Sequence, residues 1–368
     1  MSKVAIVGTG QTKFLKDDGE VEKLLFESSS NCIKSVKNCN SNDIEGVLVS
    51  TNNNSKYLGA ILSETMGIRP KISHSIEHLC SSGANAIISA YAYISSGLSD
   101  TILVSGAESA TNPGQVLEWD KSRGTLEHPI YWGSMLTKFH KRRFQTTEEE
   151  LAIVSAKNHK QAMDNPLAYD NEPRTISEVM NSKQITDDLR ILDCSRSCSG
   201  SSSVLLASEE KARTFSDQPI WITGIGQKTT SASFTKNTIE EIESTRIAVD
   251  LAYRMAKIES KNIDVAEVHD AFSVCELMAI SELGITSNYK SGEFVRNLFN
   301  TDNRMINPRG GLIGAGHPLG ATGISQTIEI TNQLQGKADK RQISNVETGL
   351  IHNMSAAGTS SSIMVLEN

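Results

Sequence analysis

An internal duplication constrains the fold of this chain more than any other sequence feature. Two stretches open alike, each as an apolar strand closed by Gly-x-Gly: KVAIVGTGQTKF from Lys3 and PIWITGIGQKTT from Pro219. After a helix-like stretch, each continues into an apolar strand, IEGVLVST from Ile44 and VAEVHDAF from Val265. A repeated unit of this kind predicts two copies of one fold that pack against each other.

Each half also presents a motif of small residues that opens a helix. CSSGANAIISAYAYISSG begins at Cys80, and GAGHPLGATGISQTIEITNQLQG begins at Gly314. Strands that alternate with helices predict α/β layers with largely parallel strand pairing. Two halves that face each other would bring these two helix starts together at one cleft.

One segment interrupts the duplication. Residues from about 112 to 185 are rich in helix formers and charges, which predicts a helical insertion lying over the cleft. We therefore divide the chain into a first half (1–111 and 186–218), an insertion called the loop domain (112–185) and a second half (219–368).

Composition restricts the partners and the compartment. The formal net charge of -7 at pH 7 and the lack of a basic stripe argue against nucleic-acid binding. No apolar run reaches transmembrane length, and the start of the chain lacks the apolar core of a signal peptide. Six cysteines in such a chain indicate reduced thiols in the cytoplasm. Cys194 and Cys198 lack a matching pair at zinc spacing, so we expect no metal site.

Cys80 lies at a helix start among small residues. The unpaired N–H groups of a helix N-terminus lower the pKa of a thiol, and the thiolate is the nucleophilic form. Small neighbours would let a substrate carbonyl approach, and the N–H of Cys80 would then stabilise an oxyanion. A buried, inert cysteine is the alternative, and this motif alone does not decide between the two.

Two histidines are candidates for the same site. His317 follows Gly316 and precedes a proline, a pattern typical of a helix start, where the ring serves either as a base or as a cap. The lysine of a phosphate-binding loop is absent from this motif. His269 ends a strand and enters a helix; alone it would be structural, but beside Cys80 and His317 it would be an oxyanion donor.

Four ordered motifs resemble the active-site loops of the thiolase superfamily: CSSGANAI at Cys80, HDAF at His269, GHPLGATG around His317, and HNMSAAG from His352 to Gly358. The HDAF form, with His where many thiolases carry Asn, is similar to sterol-carrier-protein-type and archaeal thiolases. The resemblance covers nearly the whole chain. It implies the thiolase fold, an α/β fold in which two duplicated βαβαβαββ halves form a five-layered α/β/α/β/α core with a helical loop-domain insertion.

The resemblance also implies an activity, that of an acetyl-CoA C-acetyltransferase. This enzyme reversibly condenses two acetyl-CoA into acetoacetyl-CoA and CoA. Cys80 would carry the acyl group, His317 would accept the proton of Cys80, and His269 with His317 would hold the oxygen of the enolate. The N–H groups of Cys80 and of the turn near Ser355 would hold the oxygen of the acyl-enzyme.

Coenzyme A would act as substrate and product, with no permanently bound cofactor. The basic run KFHKRR (138–143) would meet its phosphates, although a solvated helix face explains the run equally well. Residues of the loop domain would line the acyl or pantetheine pocket, or else pack the lid. The expected contacts are Gly316, Ser355 and Gly358 in the active-site loops and Tyr131, Trp132 and Met135 in the loop domain.

The chain departs from the family pattern at one position. Most thiolases use a second cysteine to remove the α-proton, carried in the last loop or at the third place of the His-Asp loop. Here the last loop lacks cysteine, and the third place of HDAF is Ala271. Cys275 lies one helical turn beyond Ala271 and would share its face, so it either replaces the missing group or packs in the core. His352 is the other candidate.

Two other functions fit the same motifs. A ketoacyl-synthase-like or aldolase-like member of the superfamily is one, because a Cys-His-His set suits decarboxylative condensation, which needs no α-proton base. A non-catalytic thiolase-like subunit is another. The resemblance further implies homodimers or tetramers. Archaeal relatives work with hydroxymethylglutaryl-CoA synthase and a small zinc-binding bridging protein, partners that this chain would share.

Overall fold

The computed structural model describes residues 3–17, 19–110 and 119–368, so residues 112–118 of the expected loop domain lie outside the described residues. Within these ranges, no helix combines the length and the hydrophobicity needed to cross a bilayer. The strands are β1 (Val4–Gln11), β2 (Gly46–Ser50), β3 (Ile72–Ile76), β4 (Thr101–Glu108), β5 (Gln184–Thr186), β6 (Leu189–Arg190), β7 (Gly200–Ser208), β8 (Ile220–Thr229), β9 (Val265–Glu267), β10 (Thr348–Ser355) and β11 (Ser360–Glu367). The helices are α1 (Val21–Lys34), α2 (Leu58–Thr65), α3 (Ser82–Ser95), α4 (Pro129–Phe144), α5 (Glu148–Ala162), α6 (Ile176–Met180), α7 (Glu209–Phe215), α8 (Glu243–Ala256), α9 (Ser273–Glu282), α10 (Ser291–Thr301), α11 (Gly311–Ala315) and α12 (Leu319–Leu334).

The two halves arrange their strands in the same order. In the first half the strand order is β3, β2, β4, β7, β1. In the second half the order is β9, β10, β11, β8, and these strands correspond to β2, β4, β7 and β1. Ile306, which bridges to Ala266 of β9, takes the place of β3. The directions also match, because β2 and β9 pair in parallel with both neighbours, whereas β7 and β11 pair antiparallel with both of theirs. The predicted duplication is therefore confirmed.

Parallel pairing is less extensive than the sequence suggested. It is confined to strands linked by helical crossovers, such as β2, β3 and β4 in the first half. β10 and β11 are joined by a tight turn, and a hairpin of this kind must be antiparallel. β1 also pairs antiparallel with β8 through Ala5 with Trp221 and Ile6 with Ile220, which joins the sheets of the two halves along one edge.

The helices complete five layers, as the resemblance implied. α3 and α12 pack against each other in the middle, where Ile87 and Ile324 belong to a core shared with strands of both halves. Helices α1, α2 and α7 cover the outer face of the first half, and α8 and α9 cover that of the second. Each sheet therefore buries both of its faces, which explains why the residues of strands β4 and β7 are apolar or small, apart from Glu108 at the end of β4.

Glycines permit the two central helices to approach each other. A Cβ added at Gly83 of α3 would lie 2.9 Å from the carbonyl oxygen of Gly320, and one added at Gly323 of α12 would lie 2.5 Å from the nitrogen of Ala84. Larger residues at this crossing would force the helices apart. Each of these helices begins within one of the two small-residue motifs, so their contact brings the two motifs together.

The described part of the loop domain consists mainly of α4, α5 and α6, and a short hairpin of β5 and β6 follows at its end. α5 packs against α9, α10 and α11 of the second half, and α4 packs against α9. These contacts set the first turn of α4 above the helix starts. The domain boundaries proposed from the sequence stay a prediction.

Gly106 on β4 provides a test of the central packing. A Cβ at this position would collide with the backbone of Gly320 and would lie 2.5 Å from Oγ of Ser50. Backbone atoms cannot move aside as the end of a side chain can. Gly106→Ala should therefore lower the free energy of unfolding by about 3 kcal/mol, the upper end of the usual cost of overpacking a core. Urea unfolding measures this change.

Gly67→Ala is the matched control. Gly67 has a φ of +66° and no neighbouring atom within 4 Å of an added Cβ, so this variant should lose only about 1 kcal/mol from backbone strain. Equal losses in the two variants would contradict the close approach of β4 and α12.

Candidate active site

A cavity of about 280 Å³ lies where the two helix starts meet the loop domain. Cys80, His269 and His317 all line it, and one ligand-type atom of each lies within 4.8 Å of the others. The rings of His269 and His317 are almost perpendicular, with centroids 5.1 Å apart. The wall is otherwise largely apolar, and its apolar side chains include Ile130, Trp132, Ile185, Ile191, Phe272, Leu319 and Met354.

Cys80 lies in a single 3-10 turn, Leu79–Ser81, that runs directly into α3. The backbone of Leu79 takes a left-handed conformation with φ of 50°, which is unusual for a large side chain. Oε1 of Glu77 accepts the N–H of Leu79 at 2.7 Å, and Oγ of Ser82 accepts the N–H of His78 at 2.7 Å. These bonds hold the turn that leaves the thiol half-buried at the cavity.

His317 is held as one tautomer. Its backbone N–H donates to the carbonyl of Arg196 at 2.9 Å, and its Nδ1 lies 2.7 Å from Oγ1 of Thr322. The Thr322 hydroxyl donates its single proton to the carbonyl of Pro318 at 2.9 Å, so it accepts from the ring. The proton of His317 therefore sits on Nδ1. Nε2 keeps a lone pair, is buried and has no hydrogen-bond partner within the protein.

His269 is held as the opposite tautomer by a chain of amides. Nε2 of Gln326 donates to the carbonyl of His352 at 3.3 Å, which leaves its Oε1 to accept from Nδ2 of Asn353 at 2.7 Å. Nδ2 of Asn353 lies 3.3 Å from Nδ1 of His269, and an amide nitrogen can only donate. Nδ1 of His269 is thus an acceptor, and its proton sits on Nε2.

Both rings are neutral at physiological pH. Burial, with the nearby charge of Arg309, lowers the pKa of His317 to about 3. Burial, with the neighbouring His317, His352 and Arg309, lowers the pKa of His269 well below its usual value. The cavity therefore presents one nitrogen lone pair and one N–H donor beside a thiol.

The positive charge of Arg309 is balanced behind the histidines. Nε of Arg309 lies 2.9 Å from Oε2 of Glu267, and its backbone N–H donates to Oε1 of the same carboxylate at 3.1 Å. Both side chains are buried, and burial raises the pKa of Glu267 to about 7. This pair fixes the strand that precedes His269 to the loop that precedes α11.

A second buried group of charges ties the loop domain to the site. Asp270, which directly follows His269, accepts the N–H groups of Leu312 and Ile313 at the start of α11, at 2.6 and 3.3 Å. It also accepts from Nδ2 of Asn158 in α5 at 2.7 Å. Nζ of Lys157 lies 3.0 Å from a carboxylate oxygen of Glu276. Displacement of α5 would thus disturb the residue next to His269.

The two side chains expected to replace the missing second cysteine do not line the cavity. Cys275 is fully buried in the core of the second half, and burial raises the pKa of its thiol to about 12. His352 is also fully buried; its Nδ1 accepts the backbone N–H of His269 at 3.4 Å, and its Nε2 pairs with Oγ1 of Thr245 at 3.0 Å. Both of its ring nitrogens are occupied behind His269.

The residues expected to contact coenzyme A are distributed in different places. Ser355 and Trp132 line the cavity. Tyr131 and Met135 are exposed and lie in a neighbouring surface groove that shares Trp132. Two glycines lie outside the wall and have positive φ: Gly316, where a Cβ would meet Cys198 and Tyr169 at 2.8 Å, and Gly358, whose carbonyl accepts from Ser244.

The basic run 138–143 does not reach the cavity. It occupies the last turns of α4, whereas the cavity is lined by the first turn of this helix, around Ile130. Lys141 pairs with Glu148 and Asp188 at 3.3 and 3.4 Å. The alternative explanation of a solvated helix face therefore fits the run better than a phosphate site.

Sequence reasoning missed one segment of the wall, residues 194–197. Cys194, Ser195 and Arg196 line the cavity next to Ala271, because Cys194 bridges to Phe272 and the N–H of Ser195 donates to the carbonyl of Ala271 at 2.9 Å. The signal available in the sequence was a cysteine and an arginine in a polar stretch just before the buried strand β7. Arg196 is the sole Lys, Arg, Asp or Glu among the described residues of the wall.

The chemistry of the cavity allows a metal as well as an organic substrate. Thiolate and imidazole are the ligands that zinc prefers, and Cys80, His269 and His317 form the one such cluster among the described residues. The expectation that the protein holds no metal stays a prediction.

Comparisons with known proteins agree in one family. A family model described as "Thiolase, N-terminal domain" matches residues 4–172, and one described as "Thiolase C-terminal domain-like" matches residues 226–368. The chain is 31% identical over 383 residues to an acetyl-CoA acetyltransferase of Methanothermobacter thermautotrophicus, covering 99% of each chain. It is 28% identical over 387 residues to sterol carrier protein 2 of Oryctolagus cuniculus, covering 97% of this chain and 71% of that one.

A solved structure agrees in fold. The protein named "Ltp2-ChsH2(DUF35) aldolase" superposes with a TM-score of 0.88 at 21% identity, covering 99% of this chain and 97% of that chain. At this identity the likeness concerns the fold alone.

The neutral state of His317 predicts its behaviour in a titration. Because its pKa is lowered to about 3, the ring should stay unprotonated from about pH 8 down to pH 5, the range in which an unperturbed histidine titrates. NMR of protein labelled with 15N-histidine, with the signal assigned through the variant His317→Asn, measures this. A titration midpoint near the usual histidine pKa would contradict the burial and the Arg309 field described above.

The burial of the cysteines predicts their order of alkylation. Cys80, half-buried at the cavity, should react with iodoacetamide in the native protein, whereas Cys275, Cys32 and Cys198 should not, because they are fully buried and burial raises the pKa of each thiol. Peptide mass spectrometry reports each site, and protein unfolded in guanidinium is the control in which all six react. Native alkylation of Cys275 as fast as that of Cys80 would refute this.

Proposed function

The chain belongs to the thiolase family, and we propose that it is an acetyl-CoA C-acetyltransferase, which condenses two acetyl-CoA into acetoacetyl-CoA and CoA in a reversible reaction. The observation that carries this proposal is the pair of opposite tautomers beside Cys80. His317 offers a lone pair at Nε2, and the hydrogen bonds of His269 leave a proton on its Nε2. A base and an oxyanion donor are the two functions that a Claisen condensation needs next to its nucleophile.

Acylation would use the base. Nε2 of His317 takes the proton of the Cys80 thiol, and the thiolate attacks the thioester carbonyl of the first acetyl-CoA. The oxyanion that forms would be held by the N–H of Cys80 and by an N–H of the turn near Ser355, which lines the cavity. CoA leaves as a thiolate, His317 keeps the proton of Cys80, and Cys80 keeps the acetyl group as a thioester.

Condensation would use the donors. When the second acetyl-CoA loses an α-proton, negative charge develops on its thioester oxygen. The Nε2–H of His269 lies in the cavity to receive this charge, and His317 can add a second donor once it is protonated. Donors of this kind each contribute about 10²–10³-fold to the rate in known enzymes. The apolar surroundings strengthen them, because electrostatic interactions are stronger where the effective dielectric constant is low.

Coenzyme A is the cosubstrate in this scheme. The largely apolar wall suits the pantetheine arm and a short acyl chain. We propose that Arg196, rather than residues 138–143, binds the negatively charged phosphates of the nucleotide. Arg196 lines the cavity, whereas Lys141 is paired with two carboxylates. A guanidinium can bind phosphate through two parallel hydrogen bonds.

A decarboxylative condensation is the second candidate. The third place of the His-Asp loop is Ala271, and neither Cys275 nor His352 lines the cavity, so both of the expected α-proton bases are absent from the wall. Loss of CO₂ from a malonyl thioester would yield the same enolate without such a base. Turnover of malonyl-CoA in preference to acetyl-CoA would favour this alternative.

We also propose that the protein forms homodimers or tetramers. The strand β3 ends the sheet of the first half, and its middle residues Ser73, His74 and Ser75 are exposed. An uncovered edge strand can pair with the same strand of a second copy. Association with hydroxymethylglutaryl-CoA synthase and a small zinc-binding protein remains part of the proposal, and co-purification from the native cell would test it.

The activity assay follows the loss of acetoacetyl-CoA in the presence of CoA, with mass spectrometry of the intact protein to detect an acetyl group on Cys80. Cys80→Ser should lower the rate by about 10⁴-fold or more, as loss of a nucleophile does in other covalent enzymes, and should abolish the acetyl adduct. His269→Ala should lower the rate by about 10²–10³-fold because it removes one oxyanion donor.

Cys39→Ser is the control, since this thiol lies in the first half away from the cavity wall. It should behave as the unmodified protein does. An unmodified protein that neither forms the acetyl adduct nor cleaves acetoacetyl-CoA would refute the proposed function.

A further inference from the structure

The cavity wall carries a second thiol besides Cys80, that of Cys194. The proposed condensation needs a group that moves a proton at the α-carbon of acetyl-CoA, and Cys275 and His352 lie behind the wall. The position from which many relatives supply this group is occupied by Ala271, whose methyl side chain has no proton to exchange.

The backbone holds Cys194 against that position. Cys194 and Phe272 face each other in an antiparallel bridge, and the N–H of Ser195 donates to the carbonyl of Ala271 at 2.9 Å. Paired backbone segments lie about 5 Å apart. Residues that face each other in such a bridge present their side chains on the same face, so Cys194 lies beside Phe272, the neighbour of Ala271, and all three residues line the cavity.

The state of this thiol suits proton transfer at carbon. Sγ of Cys194 donates to the carbonyl of Arg190 at 3.4 Å, which keeps the proton on sulfur. Burial, with the adjacent charge of Asp193, raises the pKa of Cys194 to about 12. A thiol with a high pKa holds its proton at neutral pH and becomes a strong base when it gives the proton away.

An independent observation indicates that the cavity takes a ligand with polar atoms. Nε2 of His317 has no hydrogen-bond partner, although the side chain is only 7% exposed and lines the same cavity. A buried nitrogen without a partner is costly, so a ligand that supplies a hydrogen-bond group is favoured there. Such a ligand, lying between His317 and the segment 194–197, would meet Cys194.

We propose that Cys194 is the acid/base residue that transfers the proton at the α-carbon, an inference that rests on the proposed function. In the cleavage direction, Cys80 gives its proton to His317 and attacks C3 of acetoacetyl-CoA. The C2–C3 bond breaks, and its electron pair stays on C2 as the enolate of acetyl-CoA. The S–H bond of Cys194 then breaks, and its proton forms the new C2–H bond.

The second half-reaction restores every group. The Cys194 thiolate takes the proton of the incoming CoA thiol, and the CoA sulfur attacks the acetyl carbon on Cys80. The bond between this carbon and the Cys80 sulfur breaks, acetyl-CoA leaves, and the Cys80 sulfur recovers its proton from His317. Condensation is the reverse sequence, in which the Cys194 thiolate removes the α-proton of acetyl-CoA.

Exchange of the α-protons of acetyl-CoA in D₂O isolates this step. In the full-length protein, Cys194→Ala should slow the exchange by about 10²–10⁴-fold, the usual contribution of a general acid or base. Acetylation of Cys80 by acetyl-CoA should become slower but should still go to completion, because CoA can leave as a thiolate and take its proton from water. Mass spectrometry measures both: the deuterium content of acetyl-CoA, and the acetyl group on the intact protein. Cys39→Ala serves as the control and should change neither.

Restoring a sulfur at the neighbouring position separates catalysis from packing. The double variant Cys194→Ala, Ala271→Cys should recover exchange well above the level of Cys194→Ala. Exchange at the original rate in Cys194→Ala would overturn the inference, as would a folded double variant with no recovery. In both cases a persisting acetyl group on Cys80 would leave the proposed function intact, whereas its absence from the unmodified protein would overturn both.

Discussion

The site depends on the contact of α3 with α12 in the central layer. Gly83 of α3 and Gly323 of α12 let these helices approach until an added Cβ on either would meet the backbone of the other. Cys80 lies two residues before the start of one helix, and His317 lies two residues before the start of the other. The distance between nucleophile and base is thus set by the packing of two rigid helices rather than by flexible loops, and such rigidity is what orientation of reacting groups requires.

The buried charges behind the cavity extend this rigidity to the histidines. Arg309 is neutralised by Glu267, yet its field still helps keep His317 unprotonated. Asp270 holds the start of α11 and, through Asn158, a helix of the loop domain. Breaking a buried pair by removing one partner typically costs about 3–5 kcal/mol. The position of the loop domain and the protonation state of the histidines are therefore maintained by two buried groups of polar contacts.

The internal repeat was sufficient to predict the duplication and the meeting of the helix starts that carry Cys80 and His317, whereas the five layers were implied by the resemblance to thiolases. Glycine, proline and small residues mark helix starts, and the repeat indicates which starts face each other. The sequence was insufficient to decide whether Cys275 lines the site or packs in the core, because helical spacing applies only if Ala271 lies in the helix. Ala271 and Phe272 precede α9, whose first residue is Ser273, so the spacing rule does not apply to them.

Other parts of the site depend on contacts that local patterns cannot reveal. The two ring nitrogens of His352 are engaged by Thr245 and by the backbone of His269, which are distant in the chain. Lys141 is paired with Asp188, which lies 47 residues further along the chain, just beyond the loop domain. The segment 194–197 reaches the wall through its pairing with residues 271 and 272, and nothing within that segment indicates this pairing.

The equivalence of the two halves also bears on how a site of this kind can diversify. If the halves were separate, identical subunits, any substitution at the helix start would occur in both subunits, and a thiol in one would always face a thiol in the other. Within one continuous chain, the corresponding positions are occupied by Cys80 in one copy and by His317 in the other. A nearly symmetric scaffold can thus support an asymmetric reaction centre, and each copy is free to acquire new chemistry while the opposite copy keeps its own.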